Sequence, residues 1–342
     1  MRAPDAKRRG LVAALAAALV APAAARSPAP PPYAARSEVQ RFIDEVVDQH
    51  GFDRNQVERW LNAARYSPTV ERLMQPPIPF GQRNWLDYRA RYVEDKRVQA
   101  GVAFWRANSA ALERATERFG VPPEVIVAII GVETYWGRIT GNFRTIDVLA
   151  TLSFDYLRRA DYYRGELVEL LLLAREQQAD PLRFKGSFAG AVGLPQFMPG
   201  SIRRFAVDFD GDGRIDLGGS TTDAIGSVAR FLLRHGWQRE SPIAFKVEAT
   251  VAIVDSLGRG IDAVVTWADA LDAGVVADLQ LAPETPVLVI DLPYVDAKGE
   301  PGRLFRVGTV NFAAILQYNR SYFYATAVVE LAEALRREAG RS

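Results

Sequence analysis

Glu133 stands where a carboxylate is unfavourable. In the run Val121-Pro-Pro-Glu-Val-Ile-Val-Ala-Ile-Ile-Gly-Val-Glu-Thr-Tyr-Trp-Gly137, Ile126, Ile129, Ile130 and Glu133 follow at i, i+3, i+4 and i+7. That spacing puts the carboxyl on the apolar stripe of a helix, with Pro122-Pro123 suited to its start and Gly137 to its stop. Burial disfavours the ionised form and raises the pKa. A glutamic acid kept protonated near neutral pH is what general-acid cleavage of a glycosidic bond requires. Tyr135 and Trp136 beside it suit stacking on sugar rings. The plainer alternative is a helix-end glutamate paired with an arginine such as Arg138. Few other groups are available for catalysis. The 342 residues include no cysteine, which removes thiolate nucleophiles, disulfides and cysteine-ligated zinc. Two histidines, His50 and His235, cannot form a three-histidine metal site.

A second concentration of carboxylates has a different pattern. Asp208-Phe-Asp-Gly-Asp-Gly-Arg-Ile-Asp216 places Asp208, Asp210, Asp212 and Asp216 at positions 1, 3, 5 and 9 of an EF-hand-like loop. Gly213 sits at the sharp-turn position 6, and Arg214 would offer its backbone carbonyl at position 7. Position 12 is Gly219, where a bidentate glutamate is required, so the standard match fails there. The next carboxylate is Asp223, at the start of a helix expected over Ala224 to His235. A structural calcium ion, or a substitute cation, is the expected occupant; a solvated Asp/Gly turn is the alternative. Between these two features lies Ser187-Phe-Ala-Gly-Ala-Val-Gly-Leu-Pro-Gln-Phe-Met-Pro199. Its Gly190 and Gly193 allow backbone to approach a ligand closely, and Gln196 offers an amide that can donate and accept. A tight connection between helices would use the same residues.

The elements that must position these groups are mostly helical. Residues 1–25 read as a signal peptide, with Arg2, Lys7, Arg8 and Arg9 before an apolar stretch Leu11 to Val20 and then Ala23-Ala24-Ala25. Ten apolar residues fall short of the roughly 20 needed to span a bilayer. Residues 26–36 form a proline-rich linker with no means of packing a core. An N-terminal helical region follows over 37–118. Ser37 suits capping its first helix, Val57, Trp60, Leu61 and Ala64 mark a second, and Pro76-Pro77-Ile78-Pro79 breaks the pattern before helical stretches near 84–95 and 97–119. The stretch 119–242 holds the chemistry, with the acidic loop at 208–223. Residues 243–310 change character: Val247 to Val254 and Val287 to Leu292 look like strands, with a turn at Lys298-Gly299-Glu300-Pro301-Gly302. The segment 311–342 returns to helix over 322–338. Apolar residues at 49% and charged residues at 24% fit an ordinary globular protein. The formal charge of +1 argues against nucleic acid as a partner. Removing the leader leaves the remainder near −2.

Gly131-Val-Glu-Thr-Tyr-Trp-Gly137 resembles the catalytic signature of the lytic murein transglycosylase B family (glycoside hydrolase family 103). Trp85-Leu-Asp-Tyr-Arg and Gly101-Val-Ala-Phe-Trp are similar to that family's N-terminal helical region, Ser187–Pro199 to its substrate loop, and Arg306-Val-Gly and Tyr318-Asn-Arg-Ser to its closing motifs. The likeness spans roughly 38–335 with the motifs in family order; Gly200, where serine is expected, is a small departure. The resemblance implies an α+β, mainly helical fold: a lysozyme-like catalytic core with an N-terminal helical region, an EF-hand-like loop and a small late β subdomain. It also implies that Ser187, Gln196, Asn319, Tyr324 and Tyr318 bind substrate near Glu133. An elongated calcium loop closed by an aspartate is a further family feature, so Asp223 joins Asp208, Asp210, Asp212 and Arg214 as the expected ligand set.

What the family does is cut peptidoglycan glycan strands between N-acetylmuramic acid and N-acetylglucosamine, leaving 1,6-anhydro ends. One glutamate serves first as acid and then as base. By sequence alone Asp147, Asp155 and Asp161 stay open as second carboxylates. A hydrolytic muramidase and a non-catalytic calcium-dependent peptidoglycan-binding protein are the alternatives. The resemblance places the protein in the periplasm, with cell-wall synthesis complexes as candidate partners. Without a cysteine for lipid attachment, the mature form is expected to carry no membrane anchor and no organic cofactor.

Overall fold

The computed structural model describes residues 31–75, 84–156, 158–258, 260–279 and 281–340. The leader, the first residues of the linker and the proline break at 76–79 lie outside the described residues. In chain order the helices are α1 (Ser37–His50), α2 (Arg54–Ala63), α3 (Pro68–Leu73), α4 (Trp85–Tyr92), α5 (Asp95–Ala107), α6 (Ser109–Phe119) and α7 (Pro123–Thr134). They continue with α8 (Thr145–Phe154), α9 (Ala160–Glu176), α10 (Pro199–Phe205), α11 (Thr221–Arg234), α12 (Val251–Leu257), α13 (Trp267–Asp272), α14 (Val310–Tyr318) and α15 (Tyr322–Ala339). Strands β1 (Phe143–Arg144) and β2 (Lys185–Gly186) form a small antiparallel pair. Strands β3 (Ala244–Val247), β4 (Val264–Thr266), β5 (Pro286–Val295) and β6 (Pro301–Gly308) form an antiparallel sheet in the order β3-β6-β5-β4. The fold is mainly helical with small antiparallel sheets. Among the described residues no helix is long and apolar enough to cross a membrane.

Helix α7 is the centre of the main core. Val125 to Ile130 are all buried, so the helix has no solvent face, and it is enclosed by α5, α6, α11 and α15. A second core joins α1, α2 and α3 to α8 and α9 through Val39, Ile43, Leu61, Leu149 and Leu171. The stretch 37–118 therefore divides its helices between two cores, because α4, α5 and α6 contribute to the first. Strand β5 shows the period-2 alternation of a sheet covered on both sides. Leu288, Ile290 and Leu292 face the main core, whereas Val287 and Val289 join Val254, Trp267 and Val307 in a third.

Several expectations change against this structure. Tyr33–Ala35 form a 3-10 turn with Tyr33 only 1% exposed, so the end of the proline-rich segment is docked. Its hydroxyl donates to Asp155 at 2.6 Å, and Arg36 pairs with the same carboxylate at 2.7 Å. The cap of α1 is Arg36, with Ser37 inside the helix. The helical stretch at 97–119 breaks at Asn108, whose side chain bonds back to the Phe104 carbonyl. Strand β3 ends at Val247 and Glu248 adds one antiparallel bridge to Val276; Thr250 then caps α12 by accepting from the Ile253 amide, so most of Val247 to Val254 is not strand. Pro301 and Gly302 already belong to β6.

Candidate active site

Pro122 and Pro123 open α7, and the helix ends at Thr134, one residue past Glu133, in two consecutive left-handed residues, Tyr135 (φ 52°) and Trp136 (φ 55°). Such backbone is strained for residues with side chains and persists only where the surroundings hold it. Trp136 is held by its indole N–H, which donates to the Val127 carbonyl at 3.0 Å. Its ring lies over Gly101 and Gly131, where a Cβ would come within 2.6 and 2.5 Å. This half-buried indole packs between α5 and α7. The Tyr135 ring meets two guanidiniums, Arg97 at 4.5 Å and Arg138 at 4.7 Å. Arg138 thus goes to an aromatic face and leaves Glu133 without an arginine.

The partner of Glu133 comes from the far end of the chain. Tyr324, in the first turn of α15 and capped by Ser321, donates its hydroxyl to Glu133 Oε1 at 2.6 Å. Burial pushes the Glu133 pKa up to about 7, and the Tyr324 hydrogen bond opposes that rise. Burial also pushes the Tyr324 and Tyr318 phenols well above their ordinary range, so both are donors at neutral pH. Tyr318 lies nearly parallel to Tyr324, with ring centroids 6.3 Å apart at 17°. Its hydroxyl donates to the Pro195 carbonyl at 2.6 Å, which ties the 187–199 loop to the end of α14. The candidate second carboxylates are engaged elsewhere: Asp147 with Arg144, Asp155 with Arg36 and Asp161 with Arg164.

The 187–199 loop is folded on itself. Ser187 Oγ accepts from the amides of Ala189 (3.3 Å) and Ala191 (3.1 Å). Gln196, at φ 51°, donates its amide hydrogens to Thr140 O (3.1 Å) and Gly193 O (2.9 Å). Its carbonyl oxygen is the atom left for a ligand. Gly193 and Gly190 are required by internal packing, against the Leu217 carbonyl and Leu149 respectively. Asn319 is exposed just beyond α14. Sequence reasoning missed Thr134, which is 1% exposed. Its hydroxyl donates to Leu194 O at 2.9 Å and accepts from the Gly137 amide at 3.0 Å, joining the acid's helix to the loop. A polar residue beside the acid in an otherwise apolar helix was the available signal.

In the acidic loop, carboxylate oxygens of Asp208, Asp210 and Asp212 lie within 4.8 Å of one another. Three hard oxygen donors at that spacing fit a divalent cation of the calcium type. The Ser220 hydroxyl, donating to Asp210 at 2.6 Å, holds that carboxyl below its ordinary range. Asp216 is turned to the amides of Gly218 and Gly219. Asp223 stands apart from the group of three. Only 1% exposed, it accepts from the amides of Phe209 (2.7 Å), Asp210 (3.3 Å) and Asp216 (2.9 Å). It braces the loop from within α11, whose cap is Ser220.

Comparison with known proteins shows the family. A family model described as the transglycosylase SLT domain matches residues 34–333. The membrane-bound lytic murein transglycosylase B of Escherichia coli K12 is 42% identical over 311 residues, covering 89% of this chain and 84% of the relative. The catenated lytic transglycosylase SltB1 of Pseudomonas aeruginosa superposes with a TM-score of 0.84 at 40% identity, over 90% of this chain and all of the other. A structure of the Escherichia coli lytic transglycosylase Slt35 in complex with calcium gives a TM-score of 0.77 at 42% identity, over 88% and 93% of the two chains. The chain is a member of the transglycosylase SLT domain family, an enzyme family with a lysozyme-like fold.

Proposed function

We propose that this chain is a lytic transglycosylase that cuts peptidoglycan glycan strands at the β-1,4 bond between N-acetylmuramic acid and N-acetylglucosamine, leaving 1,6-anhydro ends. The observation that carries the reading is the pairing of Glu133 with Tyr324. With Oε1 accepting from the phenol, the proton of a neutral Glu133 resides on Oε2, ready for the glycosidic oxygen. As that proton leaves, the phenol's hydrogen bond steadies the new carboxylate. The substrate's own N-acetyl group stabilises the positive charge at C1, which removes the need for a second carboxylate. Glu133 then takes the proton of the muramyl C6 hydroxyl, whose oxygen closes on C1. One acid completes the cycle and no water is consumed.

Ser187 and Asn319 would hold the sugar from two sides of the cleft, and the Gln196 carbonyl would accept from the N-acetyl amide. Tyr318 would act one step back, fixing the loop and stacking behind Tyr324. Asp208, Asp210, Asp212 and the Arg214 carbonyl would hold calcium, which supplies rigidity to the loop and takes no part in bond cleavage. The site of action would be the periplasm, after removal of the leader.

The test is a digest of purified sacculi with mass analysis of the muropeptides. Products lighter by one water than hydrolysis products are expected. Reducing ends would identify a hydrolase, and no release from folded protein would identify a binding protein. Glu133→Gln is expected to lower turnover by about 10³-fold while the fold is kept.

A further inference from the structure

Arg97 lies in α5, outside the motifs that carry the family likeness, yet it reaches the turn that aims Glu133. We infer that Arg97 is a positioning residue for the acid, a role that rests on the reading of Glu133 given above. Its Nη1 donates to the Gly131 carbonyl at 2.7 Å. The same carbonyl accepts the Tyr135 amide at 3.0 Å, the bond that starts the left-handed turn. The guanidinium also stands 4.5 Å from the Tyr135 ring centroid and 5.3 Å from that of Tyr92.

These contacts fall two residues before and two residues after Glu133. A fixed cation there meets the partial negative charge at the C-terminal end of α7 and holds Tyr135 in a backbone region that it would otherwise leave. No carboxylate among the described residues pairs with Arg97, and its Nε is buried without a hydrogen-bond partner. An apolar side chain would fill the same space without leaving a donor unsatisfied. The retained charge is therefore explained by the carbonyl and the two rings. Through Arg97 the α4–α5 segment becomes part of the active site's backing.

The experiment compares Arg97→Met, Arg97→Lys and Tyr135→Leu with the parent on soluble glycan strands, with melting temperatures recorded for each. Loss of positioning predicts a fall in kcat on the order of tenfold for Arg97→Met, with KM changed by less than about twofold. Arg97→Lys, which restores the charge and one donor, should recover part of that loss. Tyr135→Leu removes the other half of the contact and should give the same kcat-selective loss, so the inference stays testable if Arg97→Met does not fold. A parental kcat in either Arg97→Met or Tyr135→Leu, or a loss confined to KM, overturns it. Glu133→Gln is run beside them. If that variant is inactive while Arg97→Met is parental, only the role of Arg97 fails; if Glu133→Gln is active, the reading of the acid fails as well.

Discussion

Glu133 and Asp223 are both carboxyls at helix ends in the main core, and their surroundings set them to different work. Asp223 is the more deeply buried, at 1% exposure, and receives three backbone N–H groups that arrive from Phe209, Asp210 and Asp216. Glu133 receives one phenol hydroxyl, and burial raises its pKa to about 7. Amide donors favour the anion, whereas burial with a single donor favours the proton. Burial raises a carboxyl's pKa, and the donors that reach it decide how far that rise is opposed. The same contrast separates the proposed acid from a carboxyl that holds a loop in shape.

The sharpest way to probe that contrast is to remove the charge at Glu133 and read stability against pH. A carboxyl raised from 4.5 to about 7 favours the folded state fully below its ordinary range and loses that contribution as pH rises through 7. Between pH 4 and pH 8 the parent should therefore lose about 3 kcal/mol relative to Glu133→Gln. Urea unfolding at the two pH values measures the difference. A constant gap across the range would show that Glu133 titrates normally and would remove the physical basis for a general acid.

The acidic loop gives the converse experiment. Asp223→Asn turns an amide NH2 toward backbone donors and should cost about 2 kcal/mol with or without calcium. Asp210→Asn, at an exposed position, should leave the metal-free melting temperature unchanged and reduce the rise that calcium produces. Saturating calcium at about 100 times its Kd stabilises a one-site protein by about 2.7 kcal/mol. If Asp223→Asn instead lost only the calcium response, Asp223 would be a ligand and its bracing role would be mistaken.

How much of this was legible in the sequence depends on the range over which each interaction acts. Glu133 was visible because its misplacement is local, a carboxyl at helical spacing among isoleucines. The helical fold and the strand Val287 to Leu292 were visible for the same reason. Tyr324 meets Glu133 across 191 residues, a distance no periodicity bridges, and only the likeness to a known family pointed to it. Arg97 carried no local signal to separate it from any surface arginine, and Thr134 only the weak one of a polar residue beside the acid. Asp223 was found as the key to the loop, but the backbone amides it accepts come from three residues whose approach spacing cannot show. The packing of Trp136 on two glycines was not legible, because an aromatic beside an acid looks alike in sequence whatever its ring meets. Val247 to Val254 misled because the Thr250 cap acts within a β-rich composition.

The smallest change that still bears on the contrast is Tyr324→Phe. It removes the one donor to Glu133 and leaves the ring that stacks on Tyr318. Loss of a hydrogen bond that favours the anion moves the Glu133 pKa above 7, so the alkaline limb of the pH profile should shift upward. Turnover should nevertheless fall, by about tenfold, because the proton is no longer confined to Oε2 and the new carboxylate lacks its partner. The two effects have opposite signs above neutrality, which makes the variant informative: the loss should narrow as pH rises from 6 to 8. A loss of equal size at every pH would mean that Tyr324 orients substrate and leaves the acid's proton alone. An unchanged rate would mean that the supply of donors does not govern this carboxyl, and the comparison with Asp223 would lose its meaning.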